Sequence, residues 1–178
     1  SYVDAVEGAC DRIKPSGIDD NVKFVFLSAG LDAVRGNALG GGAGLAIACD
    51  MVVMADTVRF GYPELKHGIV AAVVLANLVR QLGKKQAFEL VAMADAIDGQ
   101  RALALGLCNR VVPNAEVLDV ALQIADRLAG WSTIAMATTK RTFHRAADLS
   151  LAQALDVGRD ANVMMRGFKK PTKPEAEK

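Results

Sequence analysis

The feature that constrains this chain most is a run of three glycines, Gly40 to Gly42, followed by an apolar run from Leu45 to Ala48. Glycine allows a tight turn and lets a ligand approach the backbone, because no Cβ stands in the way. The apolar run predicts a buried helix that begins at about Gly42. The first N–H groups of a helix lack internal partners, and the helix dipole makes that end mildly positive. The stretch therefore predicts either backbone donors that hold an oxyanion or a turn where helix and strand pack closely.

Charge and cysteine content narrow the class of protein. The 178 residues include 21 Lys and Arg against 20 Asp and Glu, so neither nucleic acid nor an anionic membrane is favoured as a partner. Cys10, Cys49 and Cys108 are odd in number and lack the spacing of a metal site or a disulfide framework. We expect no signal peptide and no membrane span, because the apolar runs are short and interrupted by charge. These features predict a cytoplasmic protein with one well-buried core.

The periodicity of the apolar residues predicts an α/β fold with a helical C-terminal part. Strands are predicted over residues 22–27, 33–34, 51–55, 58–60 and 111–113. Helices are predicted over residues 2–13, 42–49, 71–82, 84–93, 98–106, 115–129, 133–147 and 149–165. In the helix over 84–93, the expected buried face consists of Ala87, Phe88, Leu90 and Val91. The charged, proline-bearing tail 169–178 is expected to be disordered.

Glu64 is the best candidate for acid–base chemistry. It follows a predicted strand and Pro63, whose ring fixes its own φ and restricts Tyr62, so we expect a stiff loop to present the carboxylate. Its neighbours in sequence are largely apolar, and apolar surroundings disfavour the charged form of a carboxylate. Glu64 is therefore expected to exchange a proton near neutral pH. The alternative is a surface glutamate that caps the following turn or pairs with Lys66.

Other catalytic and cofactor-binding motifs are weak. The glycine run lacks the Gly-Lys-Ser/Thr ending of a P-loop and the acidic partner of a dinucleotide fingerprint. Ser28 and Ser132 show no sign of a nucleophile elbow. The basic residues around His144 either contact a phosphate or form a solvated helix face, and the second reading is favoured. The residues predict no metal site.

Two stretches in register resemble the signatures of the crotonase superfamily, the enoyl-CoA hydratases and isomerases. The residues from Ala33 to Asp50 resemble the first signature, and those from Phe60 to Ile69 resemble the second, at the expected spacing. Residues 96–99, residues 102–113 and the closing helices also fit, so the likeness runs from about Tyr2 to Met165.

The resemblance implies a spiral core of ββα units over residues 1–113 and a C-terminal helical region over 114–168. That region would assemble the chain into a homotrimer, or a hexamer made of two trimers. The substrate would be an acyl-CoA thioester, with coenzyme A as part of the substrate and no separate metal or redox cofactor.

The resemblance also implies residue roles. Gly41 corresponds to the glycine whose N–H forms half of an oxyanion hole, which holds the thioester oxygen as an enolate forms. Glu64 corresponds to an acid–base glutamate that exchanges a proton at the α-carbon, and in several isomerases this residue is the main proton shuttle. The residues expected to line the substrate site are Gly40, Gly42, Gly44, Pro63, Ile69 and Val70, with residues 69–74 and the helix after them around the acyl chain.

One departure from the family concerns Gly44, which stands where two-glutamate hydratases carry the glutamate that activates water. A glycine there shifts the expectation toward a Δ3,Δ2-enoyl-CoA isomerase that uses Glu64 alone, or a hydratase whose second group comes from elsewhere. Family members that lack this glutamate are nonetheless often named hydratases. The remaining alternative is a catalytically impaired homologue that only binds.

The other departure is a pair of missing segments. Family members carry two strands before the first helix, and a segment between the positions of Gly30 and Leu31 that supplies the second oxyanion N–H and much of the CoA-binding surface. Either the gene carries a deletion or the sequence omits residues there. With one donor instead of two, the rate would fall on the order of 10²–10³-fold.

Overall fold

The computed structural model describes residues 30–167. The helix predicted over 2–13, the strand predicted over 22–27 and the tail 169–178 lie outside the described residues. Contacts divide the chain into two compact units, one that ends at Asp126 and one that begins at Arg127.

The first unit alternates short strands with helices, as the sequence predicts. Its strands are β1 (Leu31–Val34), β2 (Asn37–Leu39), β3 (Met51–Ala55), β4 (Arg59–Gly61) and β5 (Arg110–Val112). Its helices are α1 (Gly41–Ala48), α2 (Ala72–Leu82), α3 (Lys84–Met93), α4 (Gly99–Ala104) and α5 (Val117–Ala129), the last of which crosses into the second unit.

All pairing between these strands is parallel. Strands β1, β3 and β5 form one sheet in that order, and β2 pairs with β4 in a second sheet. Asn109 extends the β3–β5 pair, because its side chain accepts from Val52 N–H at 2.7 Å while its own N–H donates to Val52 O at 2.8 Å. Parallel strands joined through helices make this an α/β fold.

Strand β1 is longer and more buried than its sequence predicts. The expected strand covered only Ala33 and Val34, whereas the observed one begins at Leu31 and includes Asp32, with all four residues buried. Such continuous burial is typical of a parallel strand covered on both faces. Asp32 has no exposed surface, and neither carboxylate oxygen accepts a hydrogen bond from another described residue. Desolvation raises the pKa of Asp32 from 3.8 to about 7, against a smaller lowering effect of the nearby Ala33 amide.

Helix α2 is fastened to the end of α1. The side chains of Asn77 and Gln81 both donate to Ile47 O, at 3.2 and 2.6 Å. The last carbonyls of a helix lack internal partners, so these two amides satisfy one of them. The contact fixes the position of α2 along α1.

Three local predictions differ from the structure. Residues Pro63–His67 form a 3-10 helix rather than a loop, because Pro63 favours a helical start and Gly68, at φ +70°, closes the turn. Strand β2 was not predicted, since three residues beside a glycine run give no periodic signal. Phe88 is 71% exposed, so its predicted place on the buried face of α3 was wrong, although Ala87 and Leu90 are buried.

The second unit contains two helices packed against each other, α6 (Thr133–Ala147) and α7 (Leu151–Arg166). Ser132 caps α6 by accepting from Ala135 N–H at 3.4 Å, which gives this serine a structural role. Ser150 and Gln153 form a capping box at the start of α7. Within residues 30–167, none of the helices is long and apolar enough to cross a membrane.

Candidate active site

The glycine turn forms the first wall of the candidate site. Gly40 precedes α1 with φ +57° and ψ −120°, a conformation that only glycine adopts without strain. Its N–H donates to Gly61 O at 2.8 Å, which joins the turn to the end of β4. Gly44 N–H donates back to Gly40 O at 3.0 Å and closes the first helical turn. The N–H of Gly41, the first residue of the helix, therefore has no acceptor within the helix.

Gly41 is open to a ligand. It is exposed, and beyond its chain neighbours and its own helix no atom of residues 30–167 lies within 4 Å of the place where its Cβ would stand. A free N–H at the positive end of an eight-residue helix can donate to an anionic oxygen.

Glu64 lies directly against the glycine turn. A Cβ on Gly40 would lie 3.1 Å from Glu64 Oε1 and 3.6 Å from Glu64 Cδ, so the carboxyl group packs on the residue that precedes Gly41. The 3-10 helix holds Glu64 there, since Ile69 N–H donates to Glu64 O at 3.2 Å. The structure therefore places Glu64 against the residue that precedes Gly41, and the roles of Glu64 as acid–base group and of Gly41 as oxyanion donor stay predictions.

In the structure, Lys66 pairs with Asp95 and not with Glu64. Lys66 Nζ lies 2.9 Å from Asp95 Oδ1, and both side chains are exposed. Glu64 is half-buried, and its Oε2 atom is fully buried without a hydrogen-bond partner among residues 30–167. Burying a carboxylate oxygen without a partner is costly.

Tyr62, two residues before Glu64, carries another buried polar atom. The side chain is 1% exposed, and its hydroxyl has no hydrogen-bond partner within the described part of the chain. Its ring packs edge-on against Phe60, with centroids 6.0 Å apart and planes at 86°. Burial and then the negative charge of Glu64 raise the pKa of Tyr62 above its usual value, so the hydroxyl stays protonated. Its proximity in sequence to Glu64 was visible, but its burial was not.

Val74 fills the space beside Gly44. A Cβ on Gly44 would lie 2.4 Å from Val74 Cγ1, which is closer than atoms can approach. Gly40 precedes α1 and Gly44 lies in its first turn, where Gly44 N–H donates to Gly40 O. Glu64 and Val74 therefore both lie against the start of α1. The sequence gives no signal for this contact, because it depends on how α2 packs on α1.

The remaining predicted substrate-binding residues are more open. Gly42 and Pro63 are half-buried, next to Gly41 and Glu64 in the chain. Ile69 and Val70, expected to bind the acyl chain, are 58% and 70% exposed. They form an apolar surface between the 3-10 helix and α2, and their role stays a prediction.

A cavity at the start of α3 lies apart from this site. This shallow cavity of about 470 Å³ is lined by Lys84, Lys85, Phe88 and Glu89, and it includes neither Glu64 nor the glycine turn. Within the described residues, no group of three or more His, Cys, Asp or Glu is placed to hold a metal ion.

The fold and the site together define a class of protein. Parallel strands, a glycine turn that opens a buried helix and a carboxyl group held against that turn are found together in a crotonase-type α/β core. The sequence matches the enoyl-CoA hydratase/isomerase family over residues 23–171. The chain belongs to this family.

Individual relatives agree with this assignment. The chain is 38% identical over 134 residues to a proposed enoyl-CoA hydratase of Thermus thermophilus. This match covers 75% of this chain and 53% of the relative. It is 36% identical over 124 residues to the 2,3-dehydroadipyl-CoA hydratase of Escherichia coli, with coverage of 69% and 49%. The structure of a proposed enoyl-CoA hydratase from Thermobifida fusca in complex with CoA matches with TM-score 0.72 and 31% identity, over 76% of this chain and 53% of that chain. The chain thus spans about half the length of the curated relatives it matches.

Proposed function

We propose that this chain acts on an enoyl-CoA thioester and moves a proton at the α-carbon, with hydration of the double bond as the overall reaction. The observation that carries the proposal is the contact of the Glu64 carboxyl group with Gly40, beside the free N–H of Gly41. An acid–base group and an oxyanion donor at one place are what enolate chemistry requires. The names of the relatives, which are called hydratases, support hydration as the overall reaction.

The two groups have separate tasks in this mechanism. Gly41 N–H donates to the thioester oxygen and stabilises the negative charge that develops when the enolate forms. In hydration, protonated Glu64 delivers its proton to the α-carbon as the oxygen of water bonds to the β-carbon and the C=C electrons move toward the thioester. One O–H bond of that water breaks, and its proton goes to the Glu64 carboxylate, which restores the protonated form. No metal or redox cofactor is needed, because electrons and protons balance between substrate and water.

Double-bond migration is a second candidate, and the Gly44–Val74 contact favours it. Position 44 carries no carboxylate, and Val74 makes the adjoining surface apolar. Water activation there lacks a base, whereas migration needs only one group. Glu64 would remove a proton from the α-carbon of a 3-enoyl thioester and return it to the γ-carbon.

We also propose assembly into a trimer, or a pair of trimers, in the cytoplasm. The two helices of the second unit and the connections before them carry large exposed apolar side chains, namely Trp131, Ile134, Phe143, Leu151, Leu155 and Val163. Apolar surface of this extent is typical of faces that are covered in an oligomer.

Two substrates separate the candidates. Incubation with crotonyl-CoA should lower the absorbance of the conjugated thioester if the chain hydrates it. Incubation with a 3-enoyl-CoA should produce a 2-enoyl thioester if it isomerises. Glu64→Gln should abolish either reaction, whereas Glu89→Gln, a change at an exposed residue of α3, should leave it intact. Binding of CoA thioesters without either reaction would identify a homologue that only binds.

A further inference from the structure

The 3-10 helix that carries Glu64 has little packing of its own. None of the residues from Pro63 to His67 is buried, and Leu65, Lys66 and His67 are exposed. Short helices in proteins owe most of their stability to the burial of an apolar face, and this one has no such face. The position of Glu64 therefore depends on the few contacts that the 3-10 helix makes with other segments.

The segment 94–97, which follows α3, is fixed against the end of β4. Phe60 N–H donates to Ile97 O at 2.9 Å, and Ile97 N–H donates to Phe60 O at 2.8 Å, which forms an antiparallel bridge. A Cβ on Gly61 would lie only 2.9 Å from Asp95 O, so the two backbones are in direct contact and leave no room for a side chain. The backbone of Asp95 is therefore held in place by β4.

Asp95 contacts both parts of the candidate site. Its carbonyl group packs on Gly61, and Gly61 O accepts the N–H of Gly40 at 2.8 Å. Its carboxylate oxygen Oδ1 lies 2.9 Å from Nζ of Lys66, two residues after Glu64. One residue thus connects the strand end that fixes the glycine turn with the 3-10 helix that presents the carboxyl group.

We propose that Asp95 is a positioning residue, whose ion pair with Lys66 holds the 3-10 helix so that Glu64 stays against Gly40. This inference rests on the proposed function for its effect on catalysis. Both side chains are exposed, so the ion pair has the modest strength of a surface pair. Its loss should let the helix leave its place in a fraction of the molecules, which lowers kcat and leaves KM nearly unchanged.

The test uses Asp95→Asn, which keeps the shape of the side chain and removes its charge. Ile69 N–H donates to Glu64 O at 3.2 Å, so its hydrogen exchange, followed by NMR, reports opening of the 3-10 helix whether or not the protein turns over substrate. We expect exchange at Ile69 to become about two- to fivefold faster, and kcat for the better substrate to fall by a similar factor. Exchange at Gly40 N–H, which donates to Gly61 O, should stay unchanged.

Exchanging the two charges separates the ion pair from the effect of either residue alone. Lys66→Glu places two carboxylates opposite each other and should produce the same two effects as Asp95→Asn. Combining Lys66→Glu with Asp95→Lys should restore most of the protection at Ile69 and most of kcat. Asp156→Asn is the matched control, because it breaks another exposed ion pair, with Arg159 in α7, and should change neither quantity.

The outcomes separate this inference from the proposed function. In a protein that turns over substrate, unchanged Ile69 exchange or unchanged kcat in Asp95→Asn would overturn the role of Asp95 and leave the function standing. Equal acceleration at Gly40, or no recovery in the charge-exchanged variant, would also overturn it. Faster exchange at Ile69 that the charge exchange reverses, in a protein without turnover, would support the ion pair as the anchor of the helix while refuting the proposed function.

Discussion

A Cβ placed on Gly40 would lie 3.1 Å from Glu64 Oε1, so the carboxyl group of Glu64 occupies the space that a side chain at position 40 would need. The glycine is thus required twice, once for its backbone conformation at φ +57° and once for the close approach of the carboxylate. The same residue precedes the free N–H of Gly41. Any change at position 40 should therefore disturb both parts of the proposed catalytic pair.

Gly40→Ala should lose both stability and activity. The backbone conformation of Gly40 is unfavourable for alanine and should cost about 1–3 kcal/mol. The added methyl group should also push the carboxyl group of Glu64 away from the turn and reduce kcat/KM by about tenfold or more. Urea unfolding and turnover of the better substrate measure the two effects.

Gly83→Ala is the control for the stability that alanine loses in a backbone conformation suited to glycine. Gly83 also has a positive φ, +76°, but apart from its chain neighbours no atom in the described part of the chain lies within 4 Å of the place where a Cβ would stand. It should lose similar stability and keep its activity. Equal activity losses in the two variants would show that Glu64 does not depend on the space at position 40.

Gly44 and Val74 should be energetically coupled. Gly44→Ala alone forces a methyl group to within 2.4 Å of Val74 Cγ1 and should cost about 1–3 kcal/mol of overpacking. With Val74→Ala the nearest atom becomes Cβ, at 3.6 Å, which is an ordinary contact. The double variant should therefore be more stable than the sum of the single changes predicts, by about 1–2 kcal/mol. A double-mutant cycle by urea unfolding measures this coupling, and strict additivity would contradict the packing.

Asp32 should make the protein less stable as the pH rises. Burial raises its pKa from 3.8 to about 7, so the folded state keeps a proton that the unfolded state loses. The free energy of unfolding should therefore fall between about pH 4 and pH 7, by up to about 4 kcal/mol from this group. Asp32→Asn should remove that part of the slope, as measured by urea unfolding at several pH values.

Asp56→Asn provides the comparison for this pH dependence. Asp56 is exposed in the turn after β3. Its replacement should therefore leave the free energy of unfolding with the same dependence on pH as in the wild-type protein. If Asp32→Asn and the wild-type protein show parallel pH profiles, the Asp32 carboxyl group is ionised in the folded state.

The sequence was sufficient for the elements that carry a strong local pattern. The helix after the glycine run, the helices at 84–93 and 133–147, and the strand at 51–55 follow from their apolar residues, and glycine marks the start of the first two helices. The choice of Glu64 and Gly41 as site residues rests on the turn, the proline and the carboxylate, which are visible in the chain, and on the family resemblance; their roles stay predictions.

The rest depends on contacts between distant residues. An aspartate within strand β1 contradicts the expectation that a buried strand is apolar, and local sequence gives no reason to bury it. The meeting of Val74 with Gly44 and the loss of the Tyr62 hydroxyl from solvent arise only when helices and strands pack. Phe88 shows the opposite error, since helical periodicity alone placed an exposed ring in the core.

The central claim is that Glu64 and the N–H of Gly41 act on one thioester, and exchange of the α-proton tests it most directly. A saturated acyl-CoA such as butyryl-CoA, incubated in deuterium oxide, can exchange its α-hydrogens only through the enolate and needs no addition of water. The wild-type protein should incorporate deuterium at the α-carbon, as seen by proton NMR, and Glu64→Gln should slow exchange by about 10²-fold or more while still binding the thioester. Exchange at the wild-type rate in Glu64→Gln would contradict the account.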